Sequence, residues 1–193
     1  MEYGKVTATE AFLSCDWGVS PTFVDYKRVC AINAKLRAAG VITYLDDCLT
    51  NKNRKQIETR IDAAALVVVF VTRKYMLEVV SHKMEDNVKF EFSYATRQKS
   101  ASSLIVVVLE PLMRDSSRWQ LEFAANIAGG PFLDFYTNRN DDDESNCSIL
   151  VDEIRRRKNC NRQLYAMDVF KRKDAKLGRD KERRDRKRER CVL

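Results

Sequence analysis

The chain has 193 residues, enough for one full core and too few for two ordinary domains. Apolar residues make up 45% of it and charged residues 33%, which fits a globular protein, and no apolar run approaches a membrane span. The formal net charge is +7, and the segment from Lys171 onward carries all of it, with twelve Lys/Arg against five Asp/Glu, so the preceding part is neutral. The start, Met1-Glu2-Tyr3-Gly4-Lys5, lacks the apolar region of a signal peptide. Cys15, Cys30, Cys48, Cys147, Cys160 and Cys191 show no CxxC spacing and read as reduced thiols of a cytoplasmic protein. The sequon Asn146-Cys147-Ser148 is discounted on the same ground.

Ala11–Cys15 predicts a short first strand that ends in Asp16-Trp17-Gly18. Val24–Ala39 predicts a helix with Val29, Ile32, Leu36 and Ala39 on one face and Gly40 as its C-terminal cap. Val41–Leu45 is a second strand, opening into the turn-rich loop Asp46–Asn53. A helix from about Arg54 buries Ile57, Ile61 and Ala64. The six residues Leu66–Val71 are apolar and mostly β-branched, which predicts a parallel strand buried on both faces. Thr72–Glu85 has little period beyond Tyr75-Met76 and reads as a loop with one helical turn.

Asp86–Ala95 is helical, with Val88, Glu91 and Ala95 sharing a face, and Leu104–Leu109 is a fourth strand. Glu110-Pro111 breaks the chain, and Ser116 or Ser117 caps a helix through Trp119, a core residue, Phe123 and Ile127 that Gly129-Gly130-Pro131 ends. Phe132–Tyr136 is a weaker fifth strand at the sheet edge. The acidic loop Asp141–Glu144 leads into a last helix, placed over 147–170, whose Arg155–Lys158 reads as a solvated face. From Lys171 to Leu193 charges of both signs alternate with almost no apolar content, which predicts a disordered tail or a solvated helix. Its default role is solubility; its arginines also permit weak contact with an anionic membrane or nucleic acid, or nuclear targeting.

Five strand–helix repeats imply an α/β fold: a doubly wound, flavodoxin-like three-layer domain with a parallel sheet in the order 2-1-3-4-5 and helices on both faces. Ligands in such sheets sit at the carboxyl ends of the first and third strands, where the winding reverses. Here that crevice gathers Asp16, Trp17, the Asp46-Asp47 pair and Glu91. Glu91 is the single carboxylate inside a partly apolar helix and is the first candidate for catalysis. Other tenants of the fold fail on residues. A phosphoryl-accepting receiver needs aspartate where Thr72 stands and lysine where Tyr136-Thr137 stand. There is no GxGxxG, GxxxxGK[ST] or GxSxG, and the lone histidine, His82, reads as a surface residue and makes no zinc site, so no metal is expected.

Phe12-Leu13-Ser14-Cys15-Asp16-Trp17 resembles the first motif of TIR (Toll/interleukin-1 receptor-like) domains, and Tyr44-Leu45-Asp46-Asp47 their second-strand motif. Ile61-Asp62, the Leu66 strand and Thr72-Arg73-Lys74-Tyr75 are similar to the stretch these domains carry next, and Phe90-Glu91-Phe92-Ser93-Tyr94-Ala95 to their EFxxA helix. Glu110–Asp115, Trp119 and Gly129-Gly130 look like the branch found in algae and other single-celled eukaryotes. The resemblance implies a TIR domain over 8–170, with a core over 10–137. It also implies one of two functions. One is cleavage of the nicotinamide–ribose bond of NAD⁺, by hydrolysis or cyclisation, in a signalling or defence response; NAD⁺ is then substrate, and no bound cofactor is needed. The other is a non-enzymatic scaffold that self-associates with other TIR domains. In the enzymatic case the matching carboxylate is Glu91, Trp17 and Tyr44 would stack on a ring of the dinucleotide, Asp16, Asp46 and Asp47 would contact it, and Lys52 would meet its phosphates. The loop after Asp47 lacks the Arg-Asp-x-x-Pro-Gly pattern of adaptor-type members.

Overall fold

The strand Ala64–Val71 (β3) runs through the middle of the protein because every residue in it is apolar and half of them are β-branched valines. A computed structural model describes residues 9–16, 24–45, 54–81, 87–127, 130–136 and 143–189, with side chains except those of residues 24, 25, 143 and 168–189. The chain divides into two compact units, Met1–Lys158 and Asn159–Leu193. In the first, β3 is flanked by β1 (Thr9–Ser14) and β4 (Leu104–Val108), with β2 (Thr43–Leu45) and β5 (Phe132–Asp134) at the edges. All pairings are parallel and the order is β2-β1-β3-β4-β5, the flavodoxin-like arrangement.

Alternation along the strands divides the interior in two. Val67, Val69 and Val71 of β3 join Phe12 of β1 in a core covered by α2 (Arg54–Ala63), α3 (Arg73–Val80), α4 (Asn87–Gln98) and α5 (Leu121–Ile127). Leu66, Val68 and Phe70 join Ala11, Leu13 and Cys15 in the other, covered by α1 (Val24–Ala38) and α6 (Asp143–Glu189). Gly40, at φ +84°, makes the left-handed turn that ends α1.

Three segments differ from the sequence reading. Thr72–Glu85 is not mainly loop: α3 fills most of it, started by Thr72, whose hydroxyl accepts from the Tyr75 amide at 3.0 Å. It is held down by Tyr75, Met76 and Val79, a face too short to announce a period. The Ser116 helix is split: Asp115 caps a 3₁₀ turn over Ser116–Arg118, and Trp119 is extended before α5 begins. Buried Trp119 anchors the break by donating its indole N–H to Met113 O at 3.0 Å.

Arg155–Lys158 is not a purely solvated face. Arg155 donates to Ala39 O at 2.8 Å, Arg157 to Leu104 O, and Lys158 pairs with Glu10. These cations meet carbonyls and a carboxylate at the ends of neighbouring elements, so they dock α6 while Leu150, Val151 and Ile154 fill the core. The helix runs to Glu189, through the segment given to a last helix (147–170) and into that given to a tail from Lys171. Opposite charges four apart, as in Lys176/Asp180, Lys181/Asp185 and Glu182/Arg186, favour helix there.

Candidate functional site

Strand parity builds the site. Phe12 lies in the core under α2–α4, so Ser14 and Asp16, two and four residues on, face the same layer, whereas Leu13 and Cys15 face the other. Ser14 pairs in register with Val69, near the carboxyl end of β3, where the chain turns at Thr72 into α3. α3 supplies Lys74, Tyr75 and Glu78, and α4 supplies Glu91. The reversal between β1 and β3 therefore collects four ionisable side chains and two hydroxyls.

The inner part is buried. Glu91, Tyr75 and Ser14 are exposed by 0%, 0% and 1%. Ser14 Oγ donates to Glu91 Oε2 at 3.0 Å, and the Tyr75 hydroxyl lies 2.9 Å from the same Oγ. Since the Ser14 hydroxyl has one proton, given to the carboxylate, the Tyr75 phenol donates to Ser14. Burial, reinforced by the Glu91 charge, holds the phenol well above its ordinary pKa, so it keeps its proton. Tyr75 is itself packed edge-on against Phe92 and Phe123. The result is a carboxylate fixed in direction by a two-hydroxyl chain inside an aromatic wall.

The outer part is charged. Lys74 Nζ lies 2.8 Å from Asp16 Oδ2 and 3.3 Å from Glu78 Oε1. Burial pushes the Glu78 carboxyl up to about 7, with the Asp16 charge adding to the effect and Lys74 opposing it. Burial works against the Lys74 charge, but Asp16 and then Glu78 outweigh it and hold the ammonium above its ordinary range. Asp16 is 7% exposed and the Lys74 side chain 34%, so this cluster, unlike Glu91, reaches solvent.

Tyr44 pairs in register with Phe12 and therefore faces the same layer. Its ring stacks on Phe12 at 5.6 Å, and the Arg60 guanidinium lies over it at 4.7 Å. Trp17, Asp46, Asp47 and Lys52 lie outside the described residues, as does His82. Of the residues singled out in the sequence, the structure thus brings Asp16, Tyr44 and Glu91 to one layer. Ser14, Lys74, Tyr75 and Glu78 were not singled out as site residues. The signals for them were a capping threonine three residues before Tyr75 and the i,i+4 spacing of Lys74 and Glu78. Among the described residues no group of three or more His, Cys, Asp or Glu side chains is arranged to hold a metal ion.

No protein-family model matches the chain, and no curated protein matches its sequence. Among solved structures it is similar to a metazoan TIR-STING receptor from C. gigas, with a TM-score of 0.51 and 13% identity over 77% of this chain. The chain spans 40% of the length of that receptor. It is also similar to a diflavin flavoprotein A3 from Nostoc sp., with a TM-score of 0.48 and 11% identity over 82% of this chain and 97% of the other. The likeness to the receptor is one of fold, and it accords with the five-stranded parallel sheet.

Proposed function

We propose that this domain cleaves the nicotinamide–ribose bond of NAD⁺ and that Glu91 carries the reaction. The observation behind this reading is the Glu91 carboxylate itself, buried at the winding reversal and held in one orientation by Ser14 and Tyr75. In the bond-breaking step the C1′–N bond ionises, neutral nicotinamide leaves, and the ribosyl ring becomes an oxocarbenium ion. A fixed carboxylate in a water-poor site stabilises that cation without reorganising, the largest usual source of electrostatic catalysis. Water then adds at C1′ and releases a proton, giving ADP-ribose; attack by the adenine ring instead would give the cyclic product. In this reading Asp16, two residues beyond Ser14 and paired with Lys74, would accept from ribose hydroxyls. Trp17, Asp46, Asp47 and Lys52 belong to this proposal as contacts of the dinucleotide. Tyr44 would have to give up Arg60 to stack on a ring.

A second reading is a scaffold that assembles with other TIR domains, and one observation favours it: Glu91 is 0% exposed, so substrate reaches it only after the covering groups move. One experiment separates the two. Concentrated protein is incubated with NAD⁺ while nicotinamide release is followed, for wild type and Glu91→Gln. The enzymatic reading expects turnover that falls by about two to three orders of magnitude in the variant. Wild-type turnover that survives the substitution removes Glu91 from the reaction, and its absence at high protein concentration leaves the scaffold.

A further inference from the structure

The second unit contains a feature that neither reading uses. Leu164, Tyr165 and Met167 on α6 are exposed by 55%, 74% and 57%. They belong to the run Leu164-Tyr165-Ala166-Met167-Asp168-Val169-Phe170, in which six of seven residues are apolar. The twelve Lys/Arg and five Asp/Glu of the last segment follow at once. A helix that only has to stay in solution gains nothing from such a run, since its alternating charges already support helix and solubility.

We propose that this segment docks on an anionic lipid bilayer, the apolar run entering the headgroup boundary and the basic stretch lying against the acidic headgroups. Two weak signals of this kind, a short apolar insertion and a polybasic stretch, are what reversible peripheral binding requires. No described helix is long and apolar enough to cross a membrane, so the contact is peripheral. The alternatives satisfy only half of the feature. Nucleic acid would take up the basic charge and leave Leu164, Tyr165 and Met167 uncovered. Parallel pairing with a second copy would cover them but set two segments of net charge +7 side by side. The run also spans only about two helical turns, short of the three or more heptads of a coiled coil. Between Lys171 and Glu189 the only further apolar side chains are Ala175 and Leu177, so no seam continues.

The test is co-sedimentation of the full chain with vesicles of phosphatidylcholine alone and with phosphatidylserine added. Binding is expected only with the acidic lipid and is expected to weaken as salt is raised. The variant Leu164→Ser/Tyr165→Ser/Met167→Ser should lower partitioning about tenfold or more, as should Arg183→Glu/Arg184→Glu/Arg186→Glu/Lys187→Glu. Circular dichroism confirms that both variants keep wild-type helicity; in a variant that loses helix, single serine substitutions replace the set. Three results overturn the proposal: no sedimentation with acidic vesicles, equal binding to neutral ones, or full binding by the serine variant. Binding to a duplex oligonucleotide that matches or exceeds vesicle binding and ignores the serine substitutions overturns it in favour of nucleic acid. None of these readouts involves NAD⁺.

Discussion

Glu78 gives the sharpest quantitative test of the charged cluster. Its carboxyl stands at about 7 in the native protein against 4.5 in the unfolded chain, chiefly through burial and then through Asp16. Between those values the native state keeps a proton that the unfolded chain has released, so stability falls as pH rises through the window and levels off above it. At ~1.4 kcal/mol per unit the upper bound is about 3.5 kcal/mol. Because the proton is shared in a site with Asp16 and Lys74, about 1–3 kcal/mol is expected. Glu78→Gln imitates the protonated side chain. It should match wild type near the lower end of the window and exceed it by that amount at about pH 8. Urea unfolding of both proteins at the two pH values measures the difference, and comparing variant with wild type cancels the other titrating groups. A variant equally destabilised at both ends would mean that Glu78 has the same pKa folded and unfolded, with Lys74 fully offsetting burial, and the account of the cluster would be wrong.

Further outcomes follow from other contacts. Ser14→Ala should remove the Ser14 hydroxyl that donates to Glu91 and lower nicotinamide release by about tenfold or more; unchanged turnover would reduce Ser14 to packing. Thr72→Ala should cost about 1 kcal/mol through the lost cap of α3, and Thr72→Ser should recover most of it on thermal melting. Glu153 is held at about 2, first by the Arg156 hydrogen bond, with Arg157 adding to it. Its contribution is therefore complete above 4.5 and lost as pH falls toward 2, so Glu153→Gln should destabilise at neutral pH and converge with wild type in acid unfolding. Removing residues 171–193 should shift the melting temperature by less than about 4 °C; a larger fall would show that they pack on the domain.

The sheet was readable because its signals are redundant. Leu66–Val71 and Leu104–Leu109 can hardly be anything but buried parallel strands, and alternation with helices then leaves few topologies. The burial of Glu91 was readable for the opposite reason, as a lone carboxylate on a partly apolar helix face. What escaped was whatever depends on a contact distant in sequence. Ser14 and Glu91 are 77 residues apart and Asp16 and Lys74 are 58 apart, so no local window couples them. The same holds for Arg155 and Ala39, separated by 116, which is why a docking row of cations reads locally as surface. α3 escaped because eight residues with one cap give too little period to outweigh their polar neighbours.

The docking of α6 also bears on how the protein reaches its fold. Glu10 of β1 and Lys158 of α6 meet across 148 residues, and Cys147, Leu150, Val151 and Ile154 close the core over Leu66, Val68 and Phe70. Until they arrive, α1 is the one described helix that covers this apolar side of the central strands, which should slow folding and leave early species adhesive. A chain cut ahead of Asn146 keeps every strand and all of the Glu91 site, yet it should collect in inclusion bodies.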